Sequence, residues 1–160
     1  MEDFMLTYNI PGLGKIEIEN VVFDYNGTIA VDGKLINGVE DLINKLSEYV
    51  NIYILTADTY GTVEKECRDI NGKILTFPNE HAGKSKKDIV KELGGDKTIC
   101  LGNGFNDIPM FEEATLSIAI IEGEGVSGKL LVKADIVVRS IIEALTILLN
   151  RNMVKATLRS

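Results

Sequence analysis

Histidine and cysteine are nearly absent from this chain: His81 stands alone, and Cys67 and Cys100 are the only two thiols in 160 residues. One histidine leaves no material for a His-based catalytic triad or a zinc cluster. The cysteines form no CxxC pair and have no histidine at ligand spacing, so reduced, buried thiols in a cytosolic protein are the expectation. Basic runs are missing as well. With 24 acidic against 17 basic side chains and a net charge of -7, the chain offers no stripe that would displace counterions along a nucleic-acid backbone. No nucleic-acid partner is expected. Long apolar runs are also lacking: the most apolar stretch, residues 136–149, is interrupted by Arg139 and Glu143 and is too short to span a bilayer. The opening MEDFMLTYNIPG is acidic and lacks the basic and apolar regions of a secretory signal. Neither membrane insertion nor export is expected, and a cytoplasmic location follows.

The length suits a single domain spanning 1–160. FMLTYNI and KIEIENVVFD flank Pro11-Gly12-Leu13-Gly14, which predicts an N-terminal β-hairpin arm over 4–18 leading into a central strand. Gly14-Lys15 lacks the spacing and the following helix of a phosphate loop. TIAVDGKLI reads as a second, small hairpin, with Asp32-Gly33 supplying the positive φ angles of its turn. From there strands and helices alternate. Helical spacing is expected from Val39 to Tyr49, Thr59 to Ile70, SKKDIVKEL, FNDIPMFEEA, GVSGKLLVKA and SIIEALTILLN, and strands at NIYILT, GKILTF, KTICLGN, LSIAII and ADIVV. Such alternation predicts a Rossmann-like three-layer α/β sandwich with a mainly parallel sheet covered on both faces, its core at about 18–149. Residues 150–160 read as a short tail that is mobile at ATLRS.

In sheets of this kind ligands bind beyond the carboxyl ends of the strands. Asp24, Thr56 and Asn103 each follow an apolar strand, so they converge in this reading. Lys84, Lys86 and Lys87 enter the helix before KTICLGN and could offer one amine to the same place. Each piece alone has an ordinary structural explanation: Asn26-Gly27 suits a turn, Asp58 and Asn106-Asp107 suit helix starts, and lysines are usually solvated. The order and spacing of the set carry more weight. Asp24-Tyr25-Asn26-Gly27-Thr28, then Thr56, a lysine-rich helix start, and Gly102-Asn103-Gly104-Phe105-Asn106-Asp107 together resemble the haloacid dehalogenase-like phosphotransferase superfamily. Its four motifs are typically DxDGT, a Ser or Thr, a Lys, and GDxxxD. The resemblance covers roughly residues 18–149, and LTAD, GNGFND and VSGKLLVKADIVV resemble in particular the phosphorylation domain of P-type ATPases and soluble phosphatases like it.

That resemblance implies an Mg²⁺-dependent phosphatase or phosphotransferase. Asp24 would be the nucleophile that forms an aspartyl-phosphate. Thr56, with Ala57 and Gly27, would hold phosphoryl oxygens; Lys86 would balance their charge, with Lys84 and Lys87 as alternatives. Asp24, the backbone carbonyl of Asn26, and Asn103 or Asp107 would ligate the metal. Two positions depart from the family. Asn26 stands where a second aspartate protonates the leaving group and activates water, and an amide cannot exchange a proton that way. Losing such a group removes ~10²–10⁴ in rate, hardest on poor leaving groups. Asn103 replaces a metal-binding aspartate and removes one negative charge. A slow enzyme, or one restricted to activated phosphates, is therefore expected.

Two short connections leave no room for a cap domain, which implies an open site for a phosphorylated substrate, small or large, and permits a homo-oligomer. Alternatives are a degenerate module that binds a phosphorylated ligand or a protein without turnover, and a receiver-like domain phosphorylated on Asp24. Gly123 to Gly128 matches GxGxxG, but strand, loop, helix and next strand fit between Leu116 and Val138, shorter than the ~30 residues of a dinucleotide-binding unit. A flexible loop near the phosphate crevice is expected instead. Asn26-Gly27 and Asn103-Gly104 are also candidate deamidation sites.

Overall fold

In a computed structural model the chain is described at residues 4–58 and 60–160. An antiparallel hairpin, β1 (Leu6–Ile10) and β2 (Gly14–Ile18), leads into β3 (Asn20–Asp24). A small antiparallel hairpin follows, β4 (Ala30–Val31) and β5 (Lys34–Leu35), turning through Asp32 at φ 52° and Gly33 at φ 80°. Then come α1 (Val39–Leu46), β6 (Asn51–Thr56), α2 (Thr62–Glu66), β7 (Lys73–Thr76), α3 (Ala82–Leu93) and β8 (Thr98–Gly102). A 3-10 turn at Phe105–Asp107 enters α4 (Ile108–Glu113), followed by β9 (Leu116–Ile120), α5 (Gly128–Leu131), β10 (Ile136–Val138), α6 (Ile141–Leu148) and α7 (Arg151–Leu158).

The main sheet has six strands in the order β10-β9-β8-β3-β6-β7, all parallel. Leaving β3, the chain builds to one side through β6 and β7, then returns to the other side at β8. The strand order therefore reverses between β3 and β8, where a parallel sheet opens a crevice at its carboxyl edge. Asp24 ends β3 and Asn103 follows β8, so both stand at that crevice.

The two faces of the sheet separate two apolar layers. Val21 and Phe23 face the layer shared with α1, α6 and the hairpin β1-β2, while Val22, with Leu55 and Cys100, faces the layer shared with α3 and α4. Alternation along β3 puts Asp24 on the face of Val22, the α3 side. On α3, Val90 is buried in that same layer, and Lys86 lies one turn before it, nearer the carboxyl edge. The pattern of two in the strand and the spacing of four in the helix thus aim Asp24 and Lys86 at each other.

Several bounds differ from the sequence expectation. α1 stops at Leu46 rather than Tyr49, because residues 47–50 turn back on backbone bonds to residues 43, 45 and 46. α2 is five residues long, and Thr59, the expected start of that helix, lies outside the described residues. The expected tail at 150–160 is corrected most: it forms α7. The Asn150 side chain accepts the N–H groups of Asn152 and Met153, Val154 is fully buried, and Ser160 N–H donates to the Pro11 carbonyl at 2.9 Å. The Tyr8 hydroxyl donates to the Leu148 carbonyl at 2.7 Å, tying the N-terminal hairpin to the end of α6. Among the described residues no cap domain interrupts the core: β4-β5 and a short turn precede α1, and a short connection joins β6 to α2. Among the described residues no helix is long and apolar enough to cross a membrane.

Candidate active site

The crevice is a cleft of about 340 Å³ whose lining includes Asp24, Asn26, Thr56, Ala57, Lys86 and Asn103. At its floor Lys86 Nζ donates to Asp24 Oδ1 at 3.0 Å, to Asp107 Oδ1 at 2.8 Å and to Asn106 Oδ1 at 2.8 Å. The ammonium has three protons and finds three acceptors. It also sits 5.5 Å from the centre of the Phe77 ring. The Lys86 side chain is 3% exposed and that of Asp24 14%, so the pair is nearly dry but Asp24 still meets the cleft. The alternatives point elsewhere: Lys84 pairs with Asp88 on the surface, and Lys87 is exposed.

The charges are unequal. Two carboxylates share one ammonium. Burial pushes the Asp24 carboxyl up to about 7, and the neighbouring Asp107 adds to the rise against the opposing pull of Lys86. Burial works against the Lys86 ammonium, but Asp107 and Asp24 outweigh it and hold its pKa above the ordinary value. Asp107 is the more tightly engaged acid. Its Oδ2 accepts the N–H groups of Asn103 at 3.1 Å and Gly104 at 3.0 Å, and the residue is fully buried behind the cleft. A Cβ at Gly102 would stand 2.5 Å from Asp107 Oδ2, which is why glycine precedes Asn103.

Asn103 lines the cleft where Asp107 does not. Asn103 Oδ1 and Asp24 Oδ2 both approach the buried Thr28 hydroxyl, at 3.4 and 3.5 Å. One hydroxyl proton cannot serve both oxygens, so two hard oxygen donors converge with an incomplete hydrogen-bond partner. Among the described residues no group of three His, Cys, Asp or Glu side chains could hold a metal. A protein-only cage is therefore absent from them. A sparse set of one carboxylate and one amide oxygen suits a hard divalent cation that keeps waters and phosphate among its ligands.

The remaining expected residues fall as follows. Thr56 ends β6, nearly buried, and its Oγ1 accepts the Asp58 N–H at 3.1 Å. Its hydroxyl proton is thereby directed to another acceptor. Asn26 Oδ1 accepts the Gly33 N–H at 3.0 Å, so the β4-β5 turn holds this amide. Gly27 is not at the cleft surface: its N–H donates to the Ala30 carbonyl at 2.7 Å. Its φ of 83° and the approach of Asn103, whose Nδ2 an added Cβ would collide with, account for the glycine. Both Asn-Gly amides are engaged, Gly27 with Ala30 and Gly104 with Asp107, which restrains the backbone nitrogen that deamidation requires.

Sequence reasoning read Asn106 as part of a helix start and did not single out Phe77, Asn79 or Glu124; all four line the cleft. For Asn106 the available signal was its place beside Asp107 on one 3-10 turn facing the lysine helix. Asp58, expected as a helix cap, accepts Tyr60 N–H at 2.9 Å and Val63 N–H at 3.1 Å, and these bonds hold its pKa low.

Comparison with known proteins bears on this geometry. A sequence model described as haloacid dehalogenase-like hydrolase matches residues 2–115. An uncharacterized protein of Methanocaldococcus jannaschii is 42% identical over 85 residues, 52% of this chain and 91% of that protein. A soluble P-type ATPase-like phosphatase of the same organism is 31% identical over 124 residues, 75% of this chain and 45% of the phosphatase. This chain thus matches under half of that phosphatase's length. Among solved structures, the 3-deoxy-D-manno-octulosonate 8-phosphate phosphatase of Moraxella catarrhalis, in complex with magnesium, phosphate and the sugar acid, superposes with a TM-score of 0.63. It is 17% identical, covering 84% of this chain and 87% of that one, a likeness of fold.

Proposed function

The chain belongs to the haloacid dehalogenase-like hydrolase family, and from that premise we propose an Mg²⁺-dependent phosphatase or phosphotransferase acting through an aspartyl-phosphate on Asp24. The observation that carries this reading is Lys86 Nζ held 3.0 Å from Asp24 Oδ1 at the floor of a cleft whose wall includes Thr56 and Asn103. An Asp24 carboxylate oxygen attacks phosphorus, the bond to the leaving oxygen breaks, and that oxygen departs with the electron pair. Lys86 offsets the negative charge that accumulates where two anions meet. Thr56 donates to a phosphoryl oxygen, and the Ala57 segment lines the same wall. Asp24, Asn103 and the Asn26 carbonyl would hold the cation; Asp107 acts behind them by fixing Lys86 and the Asn103 backbone. When bound, Mg²⁺ supplies positive charge to the phosphoryl oxygens.

Asn26 has no proton to give, so leaving groups that depart as stable anions are favoured: acyl phosphates, aryl phosphates and polyphosphates. The likeness to a soluble P-type ATPase-like phosphatase supports the same class. With Mg²⁺, acetyl phosphate and p-nitrophenyl phosphate should turn over slowly. Asp24→Asn should abolish that turnover, and Asn26→Asp should raise it by ~10²-fold or more, most with alkyl phosphates. One observation favours a second reading, a non-hydrolytic phospholigand module: the Asn26 amide is already occupied by Gly33. Phosphate binding without turnover in the parent and in Asn26→Asp would select it.

A further inference from the structure

The loop at 121–127 contains most of the GxGxxG-like run, and it is fastened to both segments that build the cleft. Gly123 packs so close to Val31 that a Cβ would stand 3.2 Å from Val31 Cγ1. The Asp32 N–H donates to Glu124 Oε2 at 3.2 Å. Asn103 Nδ2 donates to the Gly125 carbonyl at 3.1 Å, and Ser127 N–H donates to the Asn103 carbonyl at 2.8 Å. Gly125, at φ 79°, lets the backbone turn between these anchors. The loop is therefore tied to the β4-β5 turn and to Asn103, and it carries one carboxylate to the site. Glu124 lines the cleft together with Asp24, Thr56 and Lys86, and it lines an adjoining cavity of about 320 Å³ together with Asn26.

Among the described residues lining the cleft, the carboxylates are Asp24 and Glu124. Asp24 is spoken for as nucleophile, and the Asn26 amide cannot accept a proton. We infer that Glu124 is the catalytic base that activates water against the aspartyl-phosphate, a role that rests on the reading of Asp24 given above. The Glu124 carboxylate takes a proton from water while the water oxygen bonds to phosphorus. The bond from phosphorus to the Asp24 oxygen breaks, its electron pair returns to Asp24 as carboxylate, and hydrogen phosphate leaves. Glu124 then gives the proton to solvent, so both acids end as they began. The Asp32 N–H fixes one oxygen of Glu124, and the other serves the water.

The test uses the intact protein with Mg²⁺ and acetyl phosphate. Glu124→Gln keeps an acceptor for the Asp32 N–H, so the loop stays anchored while the base is lost. Steady-state turnover should fall ~10²–10⁴-fold. The single-turnover rate of Asp24 phosphorylation should be unchanged, and the protein should accumulate one phosphoryl group by intact mass. Adding Asn26→Asp to Glu124→Gln should restore turnover, which a mere folding defect would not allow. Glu124→Gln that turns over like the parent, or that slows phosphorylation and dephosphorylation equally, would overturn the inference and leave Asp24 as nucleophile. Turnover that survives Asp24→Asn, or none in any variant, would instead remove the reading on which it rests.

Discussion

Lys86 is one positive charge between two carboxylates, and that imbalance makes a prediction about stability rather than rate. Without metal, Asp24 is the acid that yields: its carboxyl rises to about 7, chiefly through burial, while an unfolded aspartate titrates near ~3.9. Between those values the folded state holds a proton that the unfolded state has lost. Stability attributable to this group is therefore greatest at low pH and is lost progressively as pH rises toward about 7. Asp24→Asn keeps the shape of the neutral acid and removes the charge. In chelator, the melting temperature of the variant relative to the parent should change little near pH 4 and should climb until about pH 7, then level off. Thermal melts across that range check it, and a difference that is flat with pH would contradict the assigned cause. The same residue shows what sequence could and could not convey. Asp24 at a strand end was legible from VVFD, and Lys86 was preferred to Lys84 and Lys87 through the family resemblance, its spacing to the buried Val90 supplying the physical reason. The contact of Asn106 with Lys86 and the place of Glu124 at the cleft were not legible, because a polar residue in a turn or loop reads the same whether it faces water or a neighbouring charge.

Among the elements, the strands were the most readable because their burial is nearly complete: β3, β8 and β9 are continuous apolar runs apart from their ends and single polar positions. Asp32-Gly33 carried the small hairpin by its backbone preference. The helix α7 was not readable, since RNMVKATL buries only Val154 fully and its other residues are largely exposed or half-buried. A helix held by the buried Val154, the half-buried Leu158 and a cap leaves a weak pattern. That makes its cap important: Asn150 satisfies the N–H groups of Asn152 and Met153, at 3.1 and 3.4 Å. Asn150→Ala should cost ~0.5–2 kcal/mol. The loss should appear first as faster amide exchange at residues 151–158, with little change in β3 or β8. Equal acceleration in the central strands would mean that α7 does not open separately from the sheet.

For the whole molecule, the two cysteines are probes set at different depths. Cys100 lies in β8, paired to β3 on one side and β9 on the other, and opposite Val22 and Ser117 in register. Cys67 follows the five-residue α2 and packs against the other apolar layer. Burial pushes the Cys67 thiol up to about 12, with Glu66 and Glu40 adding to the rise. Burial also holds the Cys100 thiol well above its ordinary value, with Asp107 adding to it. Only thiolate reacts with a disulfide reagent, so both should be silent in the closed state and should report openings. Exposing Cys67 requires a short helix to leave the edge of the molecule, whereas exposing Cys100 requires the switch point itself to come apart. Local openings cost less than global unfolding. Thiol labelling followed by mass should therefore modify Cys67 first under native conditions, and Cys100 only at a rate that tracks global unfolding in denaturant. Because Cys100 shares its layer with Met110 and Val90, on the helices that carry Asp107's turn and Lys86, its protection also measures how firmly the cleft floor is held. Labelling of Cys100 as fast as Cys67 in native buffer would show that the site's two halves separate without unfolding, which the unbroken parallel ladder across β8, β3 and β6 argues against.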